Sequence, residues 1–169
     1  MKDLPADETC VRTGFLCTKC EEKLERGELT PFELDLSKDF LELEASGKFS
    51  FLKDVSFYKA IDFEDVVILI VGKNDKIRIT QELLNRIKNI YEIDKLILIE
   101  KTNKPRPVVE DLIAPGKLIS INEIFLATGD VEYRAVIPQQ DEKKILFTKG
   151  ELEDLVEELT GESVRIEFV

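Results

Sequence analysis

The chain contains no histidine and no tryptophan, and it has one methionine and three cysteines among its 169 residues. Without histidine, the chain lacks the side chain that ordinarily titrates near neutral pH, and it can form no Ser–His or Cys–His pair. Carboxylates remain as candidate catalysts, but their spacing marks no acid–base pair. The composition therefore predicts a protein that is not an enzyme, with metal-dependent catalysis as the remaining catalytic alternative.

Long apolar runs are also missing. The longest one, Val66–Val71, falls well short of the roughly 18 residues that a membrane-spanning helix needs. The first ten residues, MKDLPADETC, lack the apolar stretch of a secretion signal. These absences predict a cytoplasmic protein with no membrane partner.

Positive charge is scarce, since the formal net charge is −11. The distribution is uneven: counted along the sequence, residues 1–47 carry a net charge of −6, residues 48–104 carry +2, and residues 105–169 carry −7. Because contacts to phosphate need local positive charge, only the middle segment is a candidate surface for nucleic acid.

The three cysteines lie close together, in the pattern Cys10-x6-Cys17-x2-Cys20. An odd number of clustered cysteines favours metal binding over a disulfide framework. A structural zinc site has four ligands, so one further donor is needed, and Asp7 precedes Cys10 by three residues. We predict a zinc knuckle with the ligands Asp7, Cys10, Cys17 and Cys20. The alternative is a vestigial knuckle with free thiols, because carboxylate is a harder ligand than thiolate.

The rest of the first half alternates helical and strand patterns. Thr30-Pro31-Phe32-Glu33 has the form of a capping box that opens a helix. Strands are predicted at residues 55–61, 66–71 and 96–99, with a turn at 62–65 between the first two. Thr80 is predicted to cap a helix whose buried side chains are Leu83, Leu84, Ile87, Ile90 and Tyr91.

The second half repeats this order. Residues 101–107 (KTNKPRP) are predicted to form a linker, because the prolines flanking Arg106 prevent a continuing strand. A short helix at 108–113 follows, then strands at 117–126 and 131–137, a helix opened by a capping box at Thr148, and a final strand at 164–168. Each half thus runs helix, strand, strand, loop, helix, strand. The predicted domains are a cysteine knuckle (1–29), a first repeat (30–103) and a second repeat (104–169).

Three stretches carry a family resemblance. The αββαβ order resembles the prokaryotic type of KH domain. Residues 109–117 (VEDLIAPGK) resemble the joint between the tandem KH domains of archaeal NusA-like transcription factors, and residues 159–166 (LTGESVRI) resemble the end of their second domain. The cysteine knuckle followed by Glu28-Leu29-Thr30 is similar to a NusA-related archaeal group. The resemblance implies an α+β fold with two KH-like units in tandem, each of two layers, and binding of single-stranded RNA.

A working KH domain holds four nucleotides with a GxxG loop, whose backbone N–H groups meet the phosphates. The first repeat has Gly72-Lys73-Asn74-Asp75 at this place, and residues 139–144 of the second repeat contain no glycine. We therefore expect any RNA contact to come from the first repeat and the linker. The predicted RNA-binding residues are Gly72, Lys73, Asn74, Lys76, Arg78, Lys104 and Arg106.

Each of these residues has a simpler interpretation. Gly72 can be an ordinary turn with solvated lysines around it, and Lys104 and Arg106 can be solvated linker residues. Tyr58 or Phe57 can stack on a base if exposed, or pack in the core if buried.

The main prediction is a NusA-like RNA-binding accessory factor in transcription, which binds single-stranded RNA weakly through its first repeat. The alternative is a protein-interaction module that kept the KH architecture and lost RNA binding. In either case RNA polymerase or a ribosomal component is a candidate partner, and the acidic helix at residues 151–158 could dock on a basic patch of such a partner.

Overall fold

The computed structural model describes all 169 residues, and the chain divides into two compact units, Met1–Lys101 and Thr102–Val169. The helices are α1 (Glu8–Thr13), α2 (Thr18–Glu25), α3 (Pro31–Ala45), α4 (Gln81–Tyr91), α5 (Pro105–Ile113) and α6 (Lys149–Thr160). The strands are β1 (Phe57–Phe63), β2 (Val66–Val71), β3 (Lys95–Glu100), β4 (Ser120–Phe125), β5 (Val131–Ile137) and β6 (Val164–Phe168). Two 3₁₀ helices occupy Ser50–Asp54 and Gln139–Lys144.

Each unit contains one three-stranded sheet, ordered β1-β2-β3 in the first and β4-β5-β6 in the second. In both sheets the first two strands form an antiparallel hairpin. The third strand then pairs parallel to the second, after a connection that includes a helix. The mixed α+β class and the duplicated order of elements are therefore confirmed.

The core of the first unit lies between the sheet and helices α3 and α4. Phe57, Val67, Leu69 and Val71 from the strands meet side chains such as Leu36, Phe40, Leu83 and Ile87 from the helices. The side chains Val67, Leu69 and Val71 alternate along β2, and β2 is the central strand, as its uninterrupted apolar run predicts.

Residues 1–29 form part of the first unit. The short helices α1 and α2 pack with α3 around a small apolar cluster that contains Cys10, Val11, Cys20, Leu29 and Leu41. Two of the three cysteines thus contribute to a hydrophobic cluster as well as carrying thiols.

In the second unit, α5 and α6 contact each other and α6 contacts β6. Ala135, Ile137 and Ile166 on the strands are fully buried, as are Leu152 and Val156 on α6. The opposite sides of β5 and β6 carry ion pairs, Arg134 with Glu167 and Arg165 with Glu132. This face of the second sheet is therefore a charged surface.

Several local predictions were wrong. Pro5 and Gly14 break the sequence pattern and predict irregular structure in the first 20 residues, but α1 forms there because Asp7 caps it and Arg12 pairs with Glu8 one turn earlier. The linker is shorter than residues 101–107, since α5 already begins at Pro105. Prolines in the first turn of a helix cost no hydrogen bond, because those N–H groups have no partner within the helix.

Two side chains also lie elsewhere than predicted. Ile90 was assigned to the buried face of α4, but it is 45% exposed. At Thr30 the hydroxyl accepts a hydrogen bond from the Glu33 N–H, as a capping box requires. The Glu33 carboxylate, however, does not return to the cap; it is buried and accepts a hydrogen bond from the Ala60 N–H.

No helix of the chain has both the length and the apolar character required to cross a membrane.

Candidate functional site

The three cysteine thiols converge in the first unit. Cys10 lies in α1, Cys17 is the residue that caps the N-terminus of α2, and Cys20 lies in its first turn. Their Sγ atoms all lie within 4.8 Å of one another. Cys10 and Cys20 are buried, whereas Cys17 is exposed. The spacing Cys10-x6-Cys17-x2-Cys20 therefore does bring the thiols together.

Backbone geometry holds this cluster in place. Gly14 ends α1 with a φ of 76°, a left-handed conformation that glycine adopts without strain, and the chain then turns back toward Cys17. The backbone N–H of Cys17 donates to Cys10 Sγ at 3.2 Å, and the N–H of Asp7 donates to Cys20 Sγ at 3.5 Å. Such N–H···S contacts stabilise negative charge on sulfur, as metal-bound thiolates require.

The thiols differ in acidity. The Cys20 backbone N–H, followed by hydrogen bonds with the Cys10 and Cys20 thiols, lowers the pKa of Cys17. The Cys17 backbone N–H also lowers the pKa of Cys10, but burial and the neighbouring two thiols together outweigh it and raise the pKa of Cys10 to about 11. Three thiolates this close repel one another, so ionising all of them requires a cation among them.

The sulfur positions are compatible with zinc. A tetrahedral site with Zn–S bonds of about 2.3 Å places its sulfurs about 3.8 Å apart. Sulfurs that lie within 4.8 Å of one another reach this arrangement by movements of about 1 Å or less, which side-chain rotation supplies. Thiolates are also the ligands that zinc prefers in structural sites.

Asp7, the predicted fourth ligand, occupies a different position. Its Oδ1 accepts a hydrogen bond from the Thr9 N–H at 3.1 Å and so caps α1. The set of ligand atoms within 4.8 Å of one another consists of the three sulfurs and includes no carboxylate oxygen. The Asp7 backbone N–H thus contacts the cluster, whereas the Asp7 side chain caps helix α1.

The Gly72 loop is closed by its own hydrogen bonds. The Gly72 N–H donates to the Ser56 carbonyl at 3.1 Å, and the Asp75 N–H donates to the Gly72 carbonyl at 3.1 Å. Residues 73–78 form successive turns, and α4 begins only at Gln81, capped by the Thr80 hydroxyl. Gly72 therefore does not lie at a helix N-terminus, and its N–H group is not free to meet a phosphate.

Asp75 stands where the second glycine of a GxxG loop would be, and its carboxylate points into the protein. Asp75 is 4% exposed, and its Oδ2 accepts a hydrogen bond from the Ser56 N–H at 2.9 Å. A Cβ atom at Gly72 would lie 2.3 Å from this oxygen. Asp75 thus fills the space under the loop and explains why residue 72 is a glycine.

The polar side chains around this loop differ in exposure and in pairing. Arg78 donates to the Asp54 carbonyl at 3.1 Å and lies 3.7 Å from Asp75 Oδ1. Lys73 and Asn74 are exposed, and Lys76 is half-buried. Of the remaining predicted RNA contacts, Lys104 is the N-cap of α5, and Arg106 pairs with Glu110 at 3.3 Å; both belong to the second unit.

An aromatic residue joins the cations at this end of the first sheet. The ladder between β1 and β2 shifts between Phe57 and Lys59, so Tyr58 is the extra residue of a bulge, and it is half-buried while Phe57 packs in the core. Lys101 Nζ lies 4.4 Å from the centre of the Tyr58 ring. The Lys101 N–H donates to the Val71 carbonyl, which places Lys101 directly beside Gly72. We call Tyr58, Lys73, Arg78 and Lys101 the basic sheet end.

Sequence reasoning missed a feature that the two units share. Asp141 is 4% exposed, and its Oδ2 accepts a hydrogen bond from the Lys117 N–H at 3.1 Å, while Lys144 pairs with Oδ1 at 2.8 Å. The Lys144 side chain and the Lys117 N–H lower the pKa of Asp141. Asp75 and Arg78 form the same arrangement in the first unit. The sequence signal for this arrangement is the pattern Asp-x-x-Lys/Arg, which precedes the capping threonine in both units.

Comparison with protein-family models found no match, and comparison with curated proteins found none. Among solved structures, the chain is similar to one described as "Crystal structure of APE1850", at 20% sequence identity and a TM-score of 0.48. The similarity covers 75% of this chain and 99% of that chain. A likeness at this level assigns neither a family nor a function.

Proposed function

We propose that the chain is a cytoplasmic, zinc-containing accessory factor of the NusA-like kind, with two KH-like units, which binds single-stranded RNA weakly through the first unit. The observation that supports it best is the basic sheet end, where Lys101 lies over the Tyr58 ring and beside the loop that carries Lys73 and Arg78, on a chain that is otherwise acidic. An aromatic face stacks on bases of any sequence, and adjacent cations contact the phosphates. The shared topology of the two sheets, an antiparallel hairpin followed by a parallel third strand, supports the KH-like assignment.

The expected mode of binding differs from the usual KH grip. Gly72 and Asp75 spend their backbone N–H groups within the loop, so phosphate contacts come from the Lys73 and Lys101 side chains. Two such contacts give a weak complex whose affinity falls with salt, with a slope of about −1.4 in log K against log salt for single strands.

Titration of a uridine oligonucleotide at several salt concentrations tests this function. The double variant Lys73→Glu, Lys101→Glu should abolish binding, and Lys143→Glu with Lys149→Glu, which changes exposed charges in the second unit, should leave most of it. Tyr58→Phe should retain affinity, while Tyr58→Leu should lose about 10-fold, the lower end of the range for losing one stacked base. Equal affinities for the two double variants would contradict the proposed site.

A second function is favoured by a specific observation. Asp75 and Asp141 place buried carboxylates in both connections where a KH domain would carry its phosphate-binding loop. A protein-interaction module that has lost RNA binding would show this arrangement. Absence of oligonucleotide binding at low salt, with a folded protein, would favour this function over the first.

The proposed zinc site is tested by metal analysis of the purified protein. One equivalent of zinc is expected for the natural chain, and Cys17→Ser should reduce it strongly. Thr18→Ser, a neighbouring exposed substitution that adds no thiol, is the matched control. Because structural zinc sites bind tightly, less than about a tenth of an equivalent in the natural chain would indicate free thiols.

A further inference from the structure

The proposed zinc site raises the question of its fourth ligand, and the composition restricts the answer. All three cysteines of the chain already belong to the cluster, and the chain has no histidine. No further thiolate or imidazole is present in this sequence, so a fourth zinc ligand from within it would have to be an oxygen. Carboxylate is the only charged oxygen donor that the chain offers.

Two carboxylates that lie close to Cys10 in sequence are engaged elsewhere. Asp7 Oδ1 caps α1 through the Thr9 N–H, and Glu8 Oε1 pairs with Arg12 at 2.6 Å. No carboxylate oxygen joins the three sulfurs within 4.8 Å. Moving Asp7 onto the metal would remove the cap of helix α1.

The cluster is closed on one side and open on the other. Cys10 and Cys20 are buried against Val11, Leu29 and Leu41, and these apolar side chains offer no ligand. Cys17 is exposed, and the turn that leads to it presents Phe15 with 84% of its surface exposed. A ligand from another molecule can therefore approach from the side of Cys17.

Charge decides which ligand fits. Zinc with three thiolates carries a net charge of −1, and the chain itself carries −11. A fourth thiolate would add another negative charge, whereas imidazole is neutral and completes the Cys₃His set that is common in structural zinc sites. A neutral donor is thus the better match for this centre.

We propose that the knuckle is an open three-cysteine zinc centre whose fourth position accepts an imidazole from another molecule, that of a histidine side chain on a partner protein. The inference rests on the proposed zinc site. In the absence of the partner, water completes the coordination. The exposed Phe15 beside the centre supplies an apolar contact for the segment that carries the histidine.

Cobalt substitution tests this coordination directly, because cobalt(II) reports its ligands through visible absorption. Free imidazole, added to the full chain loaded with one equivalent of Co²⁺, should shift and intensify the d–d bands in a saturable way. The thiolate-to-cobalt charge-transfer band should stay constant, which shows that the three thiolates remain bound.

Two variants at Asp7 complete the experiment. Asp7→Ser removes the carboxylate but keeps a good helix cap, and it should respond to imidazole as the natural chain does. Asp7→Cys can supply a fourth thiolate from within the chain; it should raise the charge-transfer band by about one third, one thiolate added to three, and abolish the response to imidazole. Circular dichroism verifies that both variants fold.

The outcomes separate the two proposals. A natural chain that ignores imidazole, while Asp7→Ser responds to it, would show that Asp7 closes the site and would overturn the open centre. A response to 2-mercaptoethanol with none to imidazole would overturn the assignment to a neutral donor. Failure to develop any thiolate-to-cobalt band would overturn the zinc site itself.

Discussion

In the first unit the Asp75 carboxylate accepts a hydrogen bond from the Ser56 N–H, and in the second the Asp141 carboxylate does the same for Lys117. Each aspartate also pairs with a cation three residues later, Arg78 or Lys144. In both units this buried carboxylate joins the connection before the second helix to the segment that enters the first strand. The two units therefore repeat a local design as well as an order of elements.

The units differ in what they add to this design. The first carries the cysteine cluster, the bulge at Tyr58 and the lysines beside Gly72. The second carries a regular sheet whose outer face is covered by ion pairs such as Arg134 with Glu167. The elements and the buried aspartate that maintain the fold occur in both units, whereas the candidate functional groups, the cysteine cluster and the basic sheet end, occur only in the first.

Removing the proposed zinc ion is expected to have the largest effect, and the effect should be confined to the first unit. Chelation should lower the thermal midpoint of the first unit by roughly 10 °C, since a few kcal/mol of metal-linked stability corresponds to such a shift for a chain of this size. Hydrogen exchange of individual amides should show the loss of protection in α1, α2 and α3. Amides of β4, β5 and β6 report whether the second unit is unaffected.

A variant with all three cysteines changed to serine is the control, because chelator should not change its midpoint. Zinc loss from the natural chain without any change in the exchange of α1 and α2 amides would show that metal does not stabilise the first unit.

The buried aspartates give the next largest effect. Asp75→Ala leaves the Ser56 N–H buried without its acceptor and should cost about 1–3 kcal/mol. Asp75→Asn keeps a side-chain oxygen at that place and should cost less. Asp141→Ala should likewise destabilise the second unit more than Asp141→Asn, with amide exchange assigning each loss to its unit. Equal effects of alanine and asparagine at either position would contradict a role as acceptor.

The contact between residue 72 and Asp75 can be tested by mutation. A methyl group at residue 72 meets Asp75 Oδ2 at 2.3 Å, so Gly72→Ala should be destabilising in the natural chain. In a chain that already carries Asp75→Ala this clash is gone, and the further cost of Gly72→Ala should be smaller. Urea denaturation of the four proteins in this double-mutant cycle measures the coupling, and strict additivity would show that the two residues do not meet.

The starts of helices α4 and α6 could be predicted from the sequence, whereas contacts between residues distant in the chain could not. Thr80 and Thr148 mark the starts of α4 and α6 because a capping side chain acts within three residues. The partners of the buried aspartates lie 19 and 24 residues away, and pairing at that distance leaves no periodic signal. The bulge at Tyr58 depends on register with β2, which residues within β1 do not specify.

The candidate site shows the same division. The spacing of Cys10, Cys17 and Cys20 suffices to predict that the thiols meet, because the connecting segments are short. The role of Asp7 was open from the sequence, since a carboxylate ahead of a helix can cap it or bind metal. Lys101 and Tyr58 lie 43 residues apart, and only the pairing of the central strand β2 with both β1 and β3 brings them together.

Glu33 and Asp141 should contribute to the pH dependence of stability with opposite signs. Burial raises the pKa of Glu33 above its usual value, against hydrogen bonds from the Ala60 and Thr30 backbone and the charge of Lys59. The folded first unit therefore holds this proton more tightly than the unfolded chain, and the contribution of Glu33 to its stability falls as pH rises above about 4.3. The pKa of Asp141 is lowered, so its contribution is present above about pH 3.9 and is lost as pH falls further.

Glu33→Gln and Asp141→Asn test these signs in turn. The first should flatten the decline in stability of the first unit above about pH 4.3 and stabilise it near neutrality. The second should flatten the acid-side loss in the second unit. Amide exchange between pH 3 and 7 monitors unfolding of each unit and so measures how the unfolding free energy of each depends on pH. A pH slope that Glu33→Gln leaves unchanged in the first unit, or that Asp141→Asn leaves unchanged in the second, would contradict the assignment to these two carboxylates.

The smallest expected difference concerns the helix caps. Thr80 caps α4 through its hydroxyl, which accepts from the Leu83 N–H at 3.3 Å. The Thr148 hydroxyl likewise accepts from the Glu151 N–H, and the Thr148 N–H donates in return to Glu151 Oε2 at 2.7 Å. Replacing either threonine by alanine should cost about 1 kcal/mol. Glu151→Ala should cost an additional few tenths to 1 kcal/mol in the second unit only, because Leu83, the residue three after Thr80, has no side-chain acceptor to return.

Urea denaturation of Thr80→Ala, Thr148→Ala and Glu151→Ala measures these costs, and an Asp154→Ala variant on the exposed face of α6 controls for helix propensity. If Glu151→Ala proved no more costly than this control, the reciprocal bond would contribute nothing, and the two helix starts would be energetically equivalent.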